Sequence, residues 1–157
     1  MPSHSVLIGE EMNESERESF LSSRGHGVLS MGVEDEGYGI PVSFGYDDDD
    51  RRIILEFVNG PKSKKKTFAE ASEQVTLTVY DYESVDSWES VIVTGTIHPL
   101  DDANVSDRFA SLFFAQADDA AGERRWEDRD DIERVWYEIR ISDISGRRSE
   151  GLRPRNP

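Results

Sequence analysis

The sequence has no cysteine among its 157 residues, so disulfides and thiolate metal sites are excluded. No apolar stretch approaches the roughly 18 residues that a membrane-spanning helix needs, and no signal peptide is visible. A chain of this length is usual for one domain with one core. These features predict a single-domain, soluble, cytoplasmic protein with no membrane partner.

Histidine is also scarce, and its three positions, His4, His26 and His98, lack the mutual spacing of metal ligands. The acidic run 47–50 lacks the alternating ligand positions and the distal glutamate of a calcium loop. Four adjacent carboxylates are more typical of a solvated turn. The sequence therefore predicts no metal site.

Basic residues are outnumbered, because 18 Lys and Arg face 33 Asp and Glu and give a formal charge of −15. The acids are spread along the chain, and a charge this negative argues against a nucleic-acid partner. Dispersed acids with very little lysine resemble the composition of halophilic proteins, in which high salt screens the repulsion. An ordinary acidic bacterial protein is the alternative.

The four lysines of the chain all fall between positions 62 and 66, directly after the turn-forming pair Gly60–Pro61. Lys62 or Ser63 then opens a predicted helix that continues through Ala71. A helix start offers unpaired backbone N–H groups and the positive end of the dipole, which favour a bound anion. We predict a phosphate site here, and a solvated basic turn is the alternative.

The hydrophobic pattern predicts two or three helices and six strands. A capping box at Asn13 and Glu16 starts the first helix, and Gly25 stops it. The predicted strands, in which apolar residues alternate, are 26–33, 38–46, 53–57, 75–80, 88–97 and 135–141. The lysine helix follows the third strand, and a further helix begins at Asp101. Because Pro41 cannot donate to a strand ladder, it marks a sheet edge or a bulge.

Short antiparallel strands with a few helices between them favour a small closed barrel. We assign the domain to residues 12–148. Residues 1–11 are predicted to be loosely held, and residues 149–157 to form a flexible tail.

Six segments follow one another in an order that is typical of a known protein family: Gly27–Met31, Gly37–Phe44, Leu55–Phe57, Lys62–Lys65, Val75–Leu77 and Trp88–Gly95. This order resembles the FMN-binding split-barrel proteins related to pyridoxamine 5′-phosphate oxidase. Within that family the chain is most similar to nitroimidazole-resistance-type flavoproteins, in a haloarchaeal version. The resemblance covers residues 12–148 and is carried by the whole set of segments rather than by one motif.

The resemblance implies a mostly β fold, a six-stranded antiparallel split β-barrel with two to three flanking helices. It also implies a homodimer with two FMN molecules at the subunit interface. The implied cofactor-binding residues are Leu29, Ser30, Met31, Pro41, Val42, Ser43, Ser63, Lys64, Lys65, Trp88 and Ser90. Of these, Ser63, Lys64 and Lys65 would hold the phosphate. Trp88 and Trp136 also fit core or dimer contacts, which are common for aromatic residues in strands.

The resemblance further implies an FMN-dependent oxidoreductase or flavin reductase of unknown substrate, supplied by a nicotinamide or another small-molecule electron donor. The alternatives are a non-catalytic flavin carrier or sensor, and a small barrel that binds a polyanion through the lysine segment. Glu56 stands where many relatives carry a histidine, and Gly146–Ser149 occupies the region of the substrate element of the true oxidases. Catalytic residues stay open, as does a related cofactor such as haem or deazaflavin.

Overall fold

Six long antiparallel strands close into a ring in this computed structural model, which describes residues 9–60, 62–101 and 133–150. The elements are β1 (Glu10–Glu11), α1 (Glu14–Ser23), β2 (His26–Val33), β3 (Glu36–Asp47), β4 (Arg52–Asn59), α2 (Lys64–Ala71), β5 (Val75–Ser84), β6 (Ser87–Leu100) and β7 (Glu133–Arg148). The sheet order is β1-β7-β4-β3-β2-β5-β6, and a second pairing of β6 with β7 closes the ring. The predicted split barrel with flanking helices is confirmed, and the short β1 is an addition to it.

Helix α1 begins where its capping box predicts. The Asn13 side chain accepts from the Glu16 backbone N–H at 2.8 Å, and Glu16 Oε1 accepts from the Asn13 backbone N–H at 3.0 Å. The helix ends at Ser23, with Phe20 and Leu21 buried. The further helix predicted from Asp101 lies outside the described residues.

Strand β3 changes partner along its length. It pairs with β2 from Glu36 to Ser43, and with β4 only from Phe44 to Asp47. Pro41 lies opposite Val28, in the first part of β3, where the described residues include no pairing with β4. Its missing N–H therefore costs no ladder bond on that side, and the predicted edge position is confirmed.

Strand β7 has 16 residues and runs well beyond the predicted segment 135–141. It pairs with β4 over residues 133–140, with β6 over residues 136–148, and with β1 at its last two residues. The β6–β7 register shifts between Thr94 and Gly95. A Cβ on Gly95 would lie 2.1 Å from the Arg140 carbonyl oxygen, so the close approach of these strands requires glycine at this position.

The hydrophobic core lies inside the ring, because alternate residues of each strand point inward. Its completely buried side chains include Leu29, Phe44, Ile53, Leu55, Leu77, Val91, Val93 and Ile139. Helix α2 contributes Phe68 and Ala69. The inward positions therefore form one continuous apolar cluster.

Both ends of the described chain are attached to the barrel. The Met12 N–H donates to the Gly146 carbonyl at 2.8 Å, and the Ser149 N–H donates to the Trp88 carbonyl at 2.9 Å. Residues 1–8 and 151–157 of the two predicted terminal segments lie outside the described residues. Within the described residues, no helix is long and apolar enough to cross a membrane.

Candidate functional site

The lysine segment forms the first turn of α2, as the sequence predicts. Ser63 is the N-cap, and its hydroxyl accepts from the Lys66 backbone N–H at 3.2 Å. The Thr67 hydroxyl donates to the Ser63 carbonyl at 3.2 Å. Other N–H groups of a first helical turn have no partner within the helix, so this end of α2 keeps donors for an anion.

A cleft of about 430 Å³ opens at this helix start. It lies between the end of β4, the first turns of α2 and the beginning of β7. The lining residues are Asn59, Gly60, Lys62, Ser63, Lys64, Lys66, Thr67, Glu70 and Glu133. We call this space the lysine cleft.

Asn59 is the buried polar group of the lysine cleft, and it is only 1% exposed. Its side-chain oxygen accepts from the Ser63 hydroxyl at 2.9 Å, while its buried Nδ2 has no hydrogen-bond partner within the described part of the chain. A buried donor without a partner costs about 1–3 kcal/mol. A ligand oxygen in the cleft would remove that cost. Asn59 was not predicted as a site residue, because a lone asparagine before a Gly–Pro pair is an ordinary turn residue.

The lysine side chains diverge, because successive residues of a helix project about 100° apart. The Lys64 ammonium lies 3.3 Å from Glu36 and 4.9 Å from the Tyr38 ring centroid. Lys66 donates to Glu133 at 2.8 Å. Neither acidic partner was anticipated from the sequence, because both come from distant strands.

Lys65 takes a third direction and does not line the lysine cleft. Its ammonium lies 5.7 Å from the Phe57 ring centroid, and burial lowers its pKa. No ion pair to Lys65 occurs among the residues that the structure describes. The predicted phosphate pair, Lys64 and Lys65, therefore does not converge on one point in this chain.

The residues of β2 and β3 that were predicted to contact the flavin ring lie on both sides of the sheet, because successive side chains of a strand point to opposite faces. Leu29 and Met31 are 0% and 4% exposed, and Val42 packs against the same core. Any contact of Leu29 or Met31 with a ligand outside the barrel is therefore limited to the backbone, whereas the half-buried Val42 keeps part of its surface exposed. Ser30 and Pro41 are exposed, and the β2–β3 register puts them on one outer face.

The outer face continues across β5 and β6. The pairings place Pro41, Val28, Thr78 and Ile92 in one lateral row. Ser43 and Ser90 are half-buried, and the strand registers place their side chains on the same outer face. The large exposed apolar side chains on or next to this face are Tyr80, Tyr82, Val85 and Ile92. Trp88 lies in a different cleft, beside α1.

Glu56 has a structural partner. Both of its carboxylate oxygens accept from Arg134 Nη2, at 2.8 and 2.9 Å. Its side chain is only 6% exposed. The carboxylate is therefore committed to an ion pair between β4 and β7.

The acidic turn after β3 is attached to β4 through one of its carboxylates. Carboxylate oxygens of Asp47, Asp48 and Asp49 lie within 4.8 Å of one another. Asp47, however, is completely buried and accepts from Arg52 Nε at 3.3 Å. It was predicted to belong to a solvated turn, and its burial shows that it instead anchors the turn to β4.

A closed six-stranded split barrel with a helix after its third long strand defines the architectural class of flavin-binding split barrels. The chain belongs to the pyridoxamine 5′-phosphate oxidase family, because the model of that family matches residues 13–148. The resemblance seen in the sequence is thereby confirmed. A search of curated proteins found no match.

Solved structures share this fold. A FAD-binding protein from Mesorhizobium loti has a TM-score of 0.71 and 19% identity, over 91% of this chain and 99% of that chain. The FAD binding protein from Mycobacterium smegmatis has a TM-score of 0.61 and 19% identity, over 89% and 98%. A putative 5-nitroimidazole antibiotic resistance protein from Bacteroides thetaiotaomicron has a TM-score of 0.64 and 14% identity, over 87% and 85%. At these identities the similarity establishes the fold.

Proposed function

We propose that this chain is a flavoprotein that binds FMN, with the FMN phosphate in the lysine cleft. The observation that carries the proposal is the buried Nδ2 of Asn59 at the N-terminus of α2, for which residues 9–60, 62–101 and 133–150 provide no acceptor. It is an amide donor beside backbone donors and lysines, which is the donor set that suits a phosphate. Membership of the pyridoxamine 5′-phosphate oxidase family supports the same assignment.

The charges around the helix start fit a phosphate dianion. Lys64 is bound to Glu36, but both side chains are more than half exposed, and exposed pairs of this kind contribute little energy. Lys64 can therefore exchange this partner for a phosphate. Lys66, which is bound to the exposed Glu133, lines the same cleft and supplies a second positive charge beside the phosphate.

The isoalloxazine ring is proposed to lie against the outer face that carries Ser30, Pro41 and Ser90. This face also exposes Tyr80 and Ile92, at 59% and 40%. Exposed apolar residues in this number favour coverage by another molecule. We propose a second copy of the chain as the cover, in a two-fold homodimer with FMN at the interface. Trp136 is only 9% exposed within the chain, so it has little surface left for a partner.

Bound FMN would supply hydride or electron transfer, while the chain supplies binding, orientation and electrostatics. We propose an oxidoreductase that is reduced by a nicotinamide or another small-molecule donor. The second candidate is a flavin carrier or sensor without turnover. It is favoured by Glu56, whose carboxylate is held by Arg134 and so is not available for proton transfer.

Titration of the apoprotein with FMN, FAD and riboflavin tests the proposal. FMN should bind more tightly than riboflavin, and the double variant Lys64→Ala/Lys66→Ala, which removes two lysines that line the cleft, should lose about a hundredfold for FMN but little for riboflavin. This estimate takes about 1.5–3 kcal/mol for each charge-assisted bond. Arg51→Gln, which removes an exposed positive charge elsewhere, is the matched control. Equal binding of FMN by the double variant and the parent would defeat the phosphate assignment.

FAD binding without FMN binding would retain a flavoprotein but assign it a different cofactor. Absence of binding by all three flavins would exclude both candidates. If FMN binds, turnover with NADH or NADPH and an added acceptor separates an oxidoreductase from a carrier or sensor.

A further inference from the structure

Lys65 is the lysine that the proposed phosphate site does not use. It belongs to the first turn of α2, but only Lys62, Lys64 and Lys66 among the four lysines line the lysine cleft. Its side chain lies on another side of the helix, toward β4. An ammonium group is strongly hydrated, so placing it there instead of in water has a cost.

The surroundings of the Lys65 side chain are apolar. Its Nζ lies 5.7 Å from the Phe57 ring centroid, close to the outer limit of a cation–π contact. Phe57 is 2% exposed, and its ring centroid lies 4.8 Å from that of Tyr137. One turn further along the same side of α2 is Ala69, which is 5% exposed. The methylene stem of Lys65 therefore packs along an apolar surface.

The other three lysines hold their charge beside an acid or in water. The Lys64 ammonium lies 3.3 Å from Glu36. Lys66 donates to Glu133 at 2.8 Å, and this hydrogen bond raises the pKa of Lys66. Lys62 is exposed, so water solvates its ammonium group.

Lys65 combines partial burial with the lack of a carboxylate. No ion pair to it occurs in the part of the chain that the structure describes, and burial lowers its pKa. Only the neutral form of an amine is a nucleophile, and desolvation by apolar neighbours favours that form. Part of the Lys65 surface remains exposed, so a small molecule can reach it.

We propose that Lys65 is a nucleophilic amine and a site of N-acylation by small acyl esters or thioesters. The neutral Nζ attacks the carbonyl carbon of the donor and forms an N–C bond. The bond from that carbon to the leaving oxygen or sulfur breaks, and the amine proton passes to the leaving group through water. The product is a neutral amide together with an alcohol or a thiol.

The helix start can tolerate this modification. Acylation removes a positive charge from the end of α2 at which the helix dipole is also positive, and the dipole therefore does not oppose the change. The assignment rests on the surroundings of Lys65 and does not depend on flavin binding.

The experiment treats the full chain, without added flavin, with a limiting amount of p-nitrophenyl acetate. Fragmentation mass spectrometry then measures acetylation at each lysine. At pH 7 Lys65 should be acetylated several-fold faster than Lys62, Lys64 or Lys66, which are internal controls in the same segment. Lys65→Arg keeps the positive charge, but a guanidinium group stays protonated, so this variant should lose the fast-reacting site.

A pH series and unfolding in urea separate nucleophilicity from exposure. The acetylation rate of Lys65 should stop rising at a lower pH than the rates of the other three lysines, because its amine becomes neutral earlier. A difference in exposure alone would give the same ratio of rates at every pH. Urea removes the burial of Lys65, so the four rates should become similar in the unfolded chain.

Three results would overturn the proposal. The first is acetylation of Lys65 no faster than that of the exposed Lys62. The second is a ratio of rates that stays constant across the pH series. The third is an advantage of Lys65 that persists in urea, which would assign the reactivity to the local sequence rather than to the fold.

Discussion

The Ser63 hydroxyl donates to Asn59 Oδ1 at 2.9 Å and accepts from the Lys66 backbone N–H at 3.2 Å. One hydroxyl therefore joins the end of β4 to the first turn of α2. Its bond to Oδ1 fixes the Asn59 amide, so that Nδ2 is held as a donor with no partner among the residues that the structure describes. This arrangement leads to the first prediction.

Asn59→Asp should weaken FMN binding by about tenfold or more, because it replaces the donor with an anionic oxygen beside the phosphate. Riboflavin, which lacks the phosphate, should bind as it does to the parent. Asn13→Asp is the matched control, since aspartate caps a helix as well as asparagine does. Flavin fluorescence titration measures the affinities of the parent chain and of the two variants for FMN and riboflavin. An equal loss of affinity for both flavins in Asn59→Asp would assign Asn59 a structural role only.

The proposed dimer predicts that sedimentation in molar KCl, at micromolar protein, gives twice the monomer mass. Ile92→Asp should shift the protein toward monomer, because it places a charge on the outer face. Gln74→Asp, at an exposed position between α2 and β5, should leave the dimer intact. A parent chain that sediments as a monomer would contradict the proposal.

The acidic composition predicts a melting temperature that rises steadily from low salt to molar KCl. At 0.01 M salt the Debye length is about 30 Å, so most of the 33 acids repel one another across the molecule. Calorimetric melting over a KCl series measures this effect. An unchanged melting temperature would contradict the halophilic interpretation and leave the fold untouched.

Glu138 predicts an acid-dependent loss of stability. Burial raises the pKa of its carboxyl, but hydrogen bonds from Arg140 and Arg52 outweigh burial and lower the pKa overall. The unfolded chain has the ordinary pKa of about 4.3. The stabilisation is therefore complete above about pH 4.3 and is lost as the pH falls through the lower folded-state pKa.

Glu138→Gln should reduce the free energy of unfolding by about 2 kcal/mol at pH 7. The difference from the parent should narrow as the pH falls below about 4, because the carboxyl is protonated there in the unfolded parent chain and at still lower pH in the folded one. Urea unfolding at several pH values measures it, with the exposed Glu73→Gln as the control. A difference that stays constant down to pH 2 would show that the charge of Glu138 is irrelevant.

Gly95→Ala should destabilise the barrel by about 1–3 kcal/mol, the usual cost of overpacking. The added methyl group would meet the Arg140 carbonyl oxygen at 2.1 Å. Gly37→Ala is the matched control, because nothing lies within 4 Å of a Cβ there. Thermal unfolding of both variants is the measurement, and equal melting temperatures would mean that β6 and β7 separate at little cost.

Local patterns predicted the parts of the fold that local chemistry determines. The capping box at Asn13 fixed the start of α1, and the alternation of apolar residues gave β2 its observed bounds. The second half of β7 was missed, because residues 142–148 are mostly polar and are held by pairing with β6 and β1. Such pairing depends on distant strands and leaves no periodic apolar signal.

The candidate site was predicted only in part, for the same reason. The helix start after the turn is a local feature, and the sequence predicted it at Lys62 or Ser63, of which Ser63 is the observed N-cap. The unpartnered amide of Asn59 and the acids that bind Lys64 and Lys66 arise only when β4, α2, β3 and β7 come together. The residues predicted to contact the flavin ring are also divided between two faces of the sheet. The side chains on either side of Ser30 point into the core, while Ser30 itself points outward.

The closing of the ring by β7 has a kinetic consequence. Arg52 on β4 and Glu138 on β7 form an ion pair although they are 86 residues apart in the sequence. Until β7 is in place, β4 and β6 are open edges that can pair with strands of other chains. Barrels rich in such long-range pairings fold slowly, in milliseconds to seconds. The chain should therefore be most prone to aggregation before the β4–β7 and β6–β7 ladders form.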